Sequence, residues 1–89
     1  METRLDTFNG WQMRAVVESR LTSKGEAKYY IVEPVTYRES SVVRQNQAIV
    51  ASGCSGPFNS PDDAFRAAFR VCRQSIERVI RLRNRRSFS

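Results

Sequence analysis

A helix start signal at Ser60-Pro61-Asp62-Asp63 constrains this chain more than any other feature. A serine side chain accepts from the first free N–H groups of a helix. Proline suits the first helical position because its ring presets φ and no intrahelical N–H is needed there. Acids in the first turn complement the helix dipole. Behind this signal, Phe65, Ala68, Phe69, Cys72, Ile76, Val79 and Ile80 fall within about 120° of arc, a single apolar stripe. The spacing predicts an amphipathic helix from Pro61 to about Leu82, with residues 83–89 as a fraying basic tail. Such a stripe must be buried against another element, and the preceding residues supply one.

Residues 11–21 alternate. Trp11, Met13, Ala15 and Val17 define one face, and Gln12, Arg14, Val16, Glu18 and Arg20 the other, the pattern of a half-exposed antiparallel strand. A polar turn with Gly25 leads to a second strand over residues 28–38, rich in Tyr, Ile and Val. Pro34 cannot donate to a ladder. One extra residue near Glu33-Pro34 would align Tyr30, Val32, Val35 and Tyr37 on an uninterrupted apolar face, so a one-residue bulge is predicted there. After a turn at Glu39-Ser40-Ser41, residues 42–52 read as a third strand. A Gly/Pro loop over residues 53–59 follows, with Phe58 as its anchor. Residues 1–9 are polar and mixed and are expected to form a loose N-terminus. The expected fold is one α+β domain over residues 1–89. It is a three-stranded antiparallel β-meander over residues 11–52 with one long C-terminal α-helix packed across one face (β-β-β-α).

The residue inventory excludes much chemistry. Without histidine there is no Ser-His-Asp or Cys-His arrangement, and two cysteines alone do not make a usual zinc site. Cys72 lies roughly 16 Å along the helix from its start, beyond the ~7 Å reach of a disulfide to a Cys54 placed just before it. Both thiols are expected to be free. The Gly53-to-Gly56 loop lacks a full phosphate-loop pattern, and Asp62 and Asp63 beside it would repel phosphate. The chain is read as non-enzymatic, with no cofactor and no metal. No apolar run approaches the ~18 residues of a membrane span, and the first residues lack a signal-peptide core; no membrane association and a cytoplasmic location are expected.

Charge locates the candidate site. Residues 61–89 hold eight arginines against three acids, net +5, whereas residues 1–60 hold seven basic and six acidic residues, net +1. Part of the arginine face is explained as a solvated helix side, with Asp62–Arg66, Arg73–Glu77 and Glu77–Arg81 pairs at four-residue spacing. Arg70, Arg78, Arg83, Arg85 and Arg86 have no comparable acidic neighbour. Arg70, Arg73, Arg78, Arg81, Arg83, Arg85 and Arg86 are therefore the candidate nucleic-acid-binding residues, with an acidic protein surface as an alternative partner. The arginine bias, 13 to 2 over lysine, suits bidentate phosphate contacts, and genomic base composition can produce the same bias. The outer sheet face is a second candidate, a protein-interaction or homodimer surface using Arg14, Val16, Tyr29 and Ile31 or an edge strand.

Gly56-Pro-Phe58-Asn-Ser60-Pro-Asp-Asp-Ala64, followed by Ala68 and Ile76, resembles the sheet-to-helix junction of small bacterial β-β-β-α proteins, and of AP2-type and integrase arm-type DNA-binding domains. The order of elements is similar over residues 11–80 and the motif over residues 56–68. The AP2-type likeness implies a sheet that enters the DNA major groove through Arg and Trp, with Arg14 and Arg44 in that role. Trp11, however, falls on the expected core face, and the dense basic surface is on the helix.

Overall fold

The computed structural model describes residues 1–39, 46–48 and 55–87, with only the backbone at 46–48 and 85–87. Helix α1 spans Pro61–Ser87. Its start is built as the sequence predicts. The Asp63 N–H donates to Ser60 Oγ at 3.1 Å, and Asp62 and Asp63 occupy the first turn. The helix continues past Leu82 through the stretch expected to fray, because Arg and Leu are good helix formers and Arg83 is tied to the sheet. Ala64, Phe65, Ala68, Phe69, Cys72 and Ile76 are buried, and Val79 and Ile80 pack partly against the same core. The Phe65 and Phe69 rings stack at 6.1 Å.

The sheet beneath is antiparallel and five-stranded: β1 Glu2–Phe8, β2 Trp11–Leu21, β3 Ala27–Ile31, β4 Val35–Glu39 and β5 Asn46–Ala48. The expected class holds, an antiparallel sheet with one C-terminal helix across one face. Residues 1–9 depart from expectation. They are not loose: β1 pairs with β2 from Glu2↔Val17 to Phe8↔Trp11. The cause is Asn9-Gly10, whose φ values of 50° and 81° are both positive. A two-residue turn of this kind matches the twist of the strands it joins, and Asn-Gly is its preferred sequence. Along β2, Trp11, Met13, Ala15 and Val17 line the core as predicted.

The second expected strand is divided into β3 and β4. Val17 pairs with Ile31, and Arg14 with Thr36. Three steps along β2 thus match five on the other side, so the segment around Pro34 inserts two residues rather than one. A two-residue insertion preserves the alternation of faces, whereas a one-residue bulge reverses it. Tyr29, Ile31, Val35 and Tyr37 therefore face the helix together, and Glu33, which would interrupt their face, lies in the exposed excursion. Tyr30 and Val32 are not on the core face, contrary to the bulge reading.

Of the expected third strand, Asn46–Ala48 is described and pairs with β4; the rest of residues 42–52, Arg44 included, lies outside the described residues. Residues 55–58 run beside β3. The Tyr29 and Phe58 N–H groups each donate to the other's carbonyl, at 3.0 and 2.8 Å, and the Ile31 N–H donates to the Ser55 carbonyl at 2.8 Å. Phe58 packs on the core, as its anchoring role requires. Gly56 allows this approach: its φ is +129°, and a Cβ there would stand 2.8 Å from the Tyr29 carbonyl oxygen.

Two substitutions test this packing. Phe65→Ala removes a buried ring from the centre of the stripe and should cost about 3–5 kcal/mol in urea denaturation, a large share of a small domain's stability. Gly56→Ala combines a strained φ with a backbone clash and should lower the thermal midpoint. The same substitution at Gly10, where nothing lies within 4 Å of a Cβ, meets only the backbone strain and should lower it less.

Candidate nucleic-acid interface

The helix divides the predicted arginines into two groups. Arg70, Arg78 and Arg81 are exposed and Arg73 is half-buried. None of these four forms a salt bridge with a described residue. Arg70, Arg73 and Arg81 share about 80° of helix arc, with Arg78 beside them, and the distance from Arg70 to Arg81 is about 16 Å along the axis. Glu77 lies within this set, yet the expected Arg73–Glu77 and Glu77–Arg81 bridges are not formed. The expected Asp62–Arg66 pair is also replaced. Asp62 accepts from Arg4 on β1 at 2.7 Å, and Arg66 instead approaches Asp63 at 3.8 Å. Arg4 lies over the Phe65 ring, 4.5 Å from its centroid, so this contact holds β1 to the helix start. The Asp62 and Glu2 carboxylates bonded to Arg4 raise its pKa.

Arg83 belongs elsewhere. Its guanidinium donates to Glu39 at 2.9 Å and lies over the Trp11 ring at 5.4 Å. Position 83 is seven residues beyond Ile76, in line with the buried stripe, so its guanidinium covers the end of the core over Trp11 while the side chain stays exposed. That periodicity was visible in the sequence. Arg85 and Arg86 lie on the last turn of α1, and their side chains lie outside the described residues.

The outer sheet face does not assemble the expected apolar patch. Ile31 is 7% exposed and, with Tyr29, faces the helix; Val16 faces outward but is only 4% exposed. Arg14 is exposed, as predicted, and pairs with Glu33 at 3.5 Å. The other described cations of this face are also engaged. Arg20 meets Glu18 at 2.9 Å and lies over the Tyr30 ring, Lys28 donates to Asn59 at 2.7 Å, and Arg38 donates to Gln12 at 3.1 Å. Among the described residues, the arginines left without a partner thus lie on the helix.

Two shallow grooves flank α1. One, about 380 Å³, runs between the helix and β1 over Phe65 and Phe69, with Arg4, Arg66 and Arg73 on its rim. The other, about 340 Å³, lies between the 57–59 loop and the helix and includes Arg66 and Arg70. Among the described residues no group of three or more His, Cys, Asp or Glu could hold a metal ion, and no helix is long and apolar enough to cross a membrane. Cys72 is buried and free, and burial pushes its thiol up from 9.0 to about 12; the nearby Arg73 charge opposes this weakly. Cys54 lies outside the described residues. The chain matches no protein-family model, no curated protein and no solved structure.

Two outcomes follow for these side chains. Arg83→Ala should cost at most about 1 kcal/mol in denaturation, because its ion pair is largely solvent-exposed, and should leave any polyanion affinity unchanged. Cys72 should resist alkylation at about pH 8 in the folded chain and react readily in denaturant. The folded state keeps this proton where the unfolded state releases it, so Cys72 makes stability fall as pH rises from 9.0 towards about 12. Cys72→Ala should flatten that part of a stability–pH curve.

Proposed function

We propose that the protein is a non-enzymatic binding protein that docks nucleic acid through the outer face of α1. The observation that carries this reading is the set of four arginines, Arg70, Arg73, Arg78 and Arg81, without a carboxylate partner among the described residues. A guanidinium fork matches phosphate oxygens bidentately. A rigid helix holds four such forks over about 16 Å, so little ordering is needed on binding. Recognition is directed at phosphates and is weakly sequence-dependent, because this face offers mainly guanidinium groups, with Gln74 and Asn84 as its neutral amides. The AP2-type likeness would place the ligand on the sheet. The helix is the better surface, since Trp11 is buried and Arg14 is paired with Glu33.

A salt titration with labelled duplex and single strands tests the reading. Binding should weaken steeply between about 50 and 200 mM salt, in proportion to the phosphates neutralised. Replacing Arg70, Arg73, Arg78 and Arg81 by Gln should lower the log–log salt slope by about 0.9 for each duplex phosphate that is no longer neutralised, with an unchanged circular dichroism spectrum. Absence of binding at low salt, or a slope indifferent to the four substitutions, refutes this assignment.

A further inference from the structure

Among the described residues, strand β1 is an edge of the sheet, paired with β2 on one side and with no strand on the other. The two-residue turn makes Phe8–Trp11 a hydrogen-bonded pair, so Thr3, Leu5 and Thr7 turn their N–H and C=O groups outward. The Thr7 N–H agrees: it donates to the side chain of Asp6 at 2.8 Å. Several of the usual protections of an edge are missing here, although Glu2, Arg4 and Asp6 place charge on the strand. The strand has no proline, no lysine and no bulge, and Leu5 at its middle is 61% exposed.

The strand is also complementary to its own reverse. When Glu-Thr-Arg-Leu-Asp-Thr-Phe is laid antiparallel to a second copy about Leu5, Arg4 stands opposite Asp6 twice, Thr3 opposite Thr7 twice, and Leu5 opposite Leu5. We propose that β1 pairs with β1 of a second copy in this register, giving a twofold homodimer with one continuous sheet. The parity is right. Thr3, Leu5 and Thr7 carry the outward groups and form the hydrogen-bonded rungs. The Arg4–Asp6 pairs take the intervening positions, where Cα atoms approach to about 4.5 Å and side chains meet most closely. Registers centred on Arg4 or Asp6 would use the same outward groups but would set Arg4 opposite Arg4 or Asp6 opposite Asp6, which is unfavourable. Arg4 uses Nε for Glu2 and one Nη for Asp62, which leaves further N–H donors for Asp6 of the second copy. The Thr7 N–H passes from Asp6 to the Thr3 carbonyl of the second copy, and the released carboxylate turns to Arg4. The axis is perpendicular to the sheet, so both α1 helices, with their arginine faces, lie on the same side of it.

Sedimentation equilibrium from about 1 μM to about 1 mM tests the proposal independently of nucleic-acid binding, since it reads mass alone. The wild-type chain should show a monomer–dimer equilibrium. Leu5→Lys sets two ammonium groups face to face on the axis and should raise the dimer Kd about fivefold or more, with an unchanged circular dichroism spectrum. In a Cys54→Ser background, Leu5→Cys should oxidise to a covalent dimer, because hydrogen-bonded antiparallel pairs hold their Cα atoms about 5.5 Å apart, within disulfide range. A wild-type chain that stays monomeric, a dimer indifferent to Leu5→Lys, or a cysteine variant that does not cross-link overturns the proposal.

Discussion

Burial of the α1 stripe against the inward residues of β2, β3 and β4 is the interaction on which the rest depends. Phe65, Phe69, Cys72 and Ile76 share one core with Trp11, Met13, Ala15, Val17, Ile31, Val35 and Tyr37. Among the described residues no polar or charged residue is fully buried, and the one buried side-chain oxygen without a partner is Thr36 Oγ1, so apolar burial dominates the association of the two layers. This burial also sets the azimuth of the helix. Once the stripe is seated, residues on the opposite arc, Arg70 and Arg81 among them, are presented to solvent. The basic surface is thus a geometric consequence of the core.

The ends of that interface are closed by arginines rather than by apolar side chains. Arg4 lies over Phe65 at the helix start and bonds to Asp62; Arg83 lies over Trp11 near the far end and bonds to Glu39. In each case a guanidinium covers a ring that would otherwise meet water, while its charge stays hydrated and paired. Exposed ion pairs of this kind contribute little individually. Their role here is positional. One ties β1 to the helix, and the other ties the last turns of the helix to the sheet. Arginine therefore serves two purposes in one helix, and net charge alone does not separate them.

The class of fold was legible because two periodicities, 2 in residues 11–21 and 3.6 in residues 61–80, are unambiguous. The site was legible in part. Arg70, Arg73, Arg78 and Arg81 follow from the same helical spacing that defines the stripe. Arg83 would have been assigned correctly by extending that spacing one turn further. β1 was hidden because Glu-Thr-Arg-Leu-Asp-Thr-Phe presents polar residues on both faces. The stronger signal lay in the turn, where Asn9-Gly10 predicts a hairpin whatever the alternation of the flanking strands. Tyr29 and Ile31 were misplaced because one and two inserted residues near Pro34 are both compatible with the local sequence, and only one of them reverses the faces.

The sequence by itself determined where the helix starts, which of its sides is apolar, that β2 has one buried and one polar face, and that the positive charge gathers in the last third. These are local properties, set by capping, side-chain period and residue count. Tertiary structure alone decided which cations remain unpaired. Arg4 and Asp62 are 58 residues apart, and Arg83 and Glu39 are 44 apart. The first displaces the Asp62–Arg66 pair that helical spacing suggests, the second gives Arg83 an acid where its helix supplies none, and local spacing carries no information about either contact. The same holds for the parity of the Pro34 excursion, which is settled by pairing β3 and β4 to a common β2 rather than by the residues of the excursion.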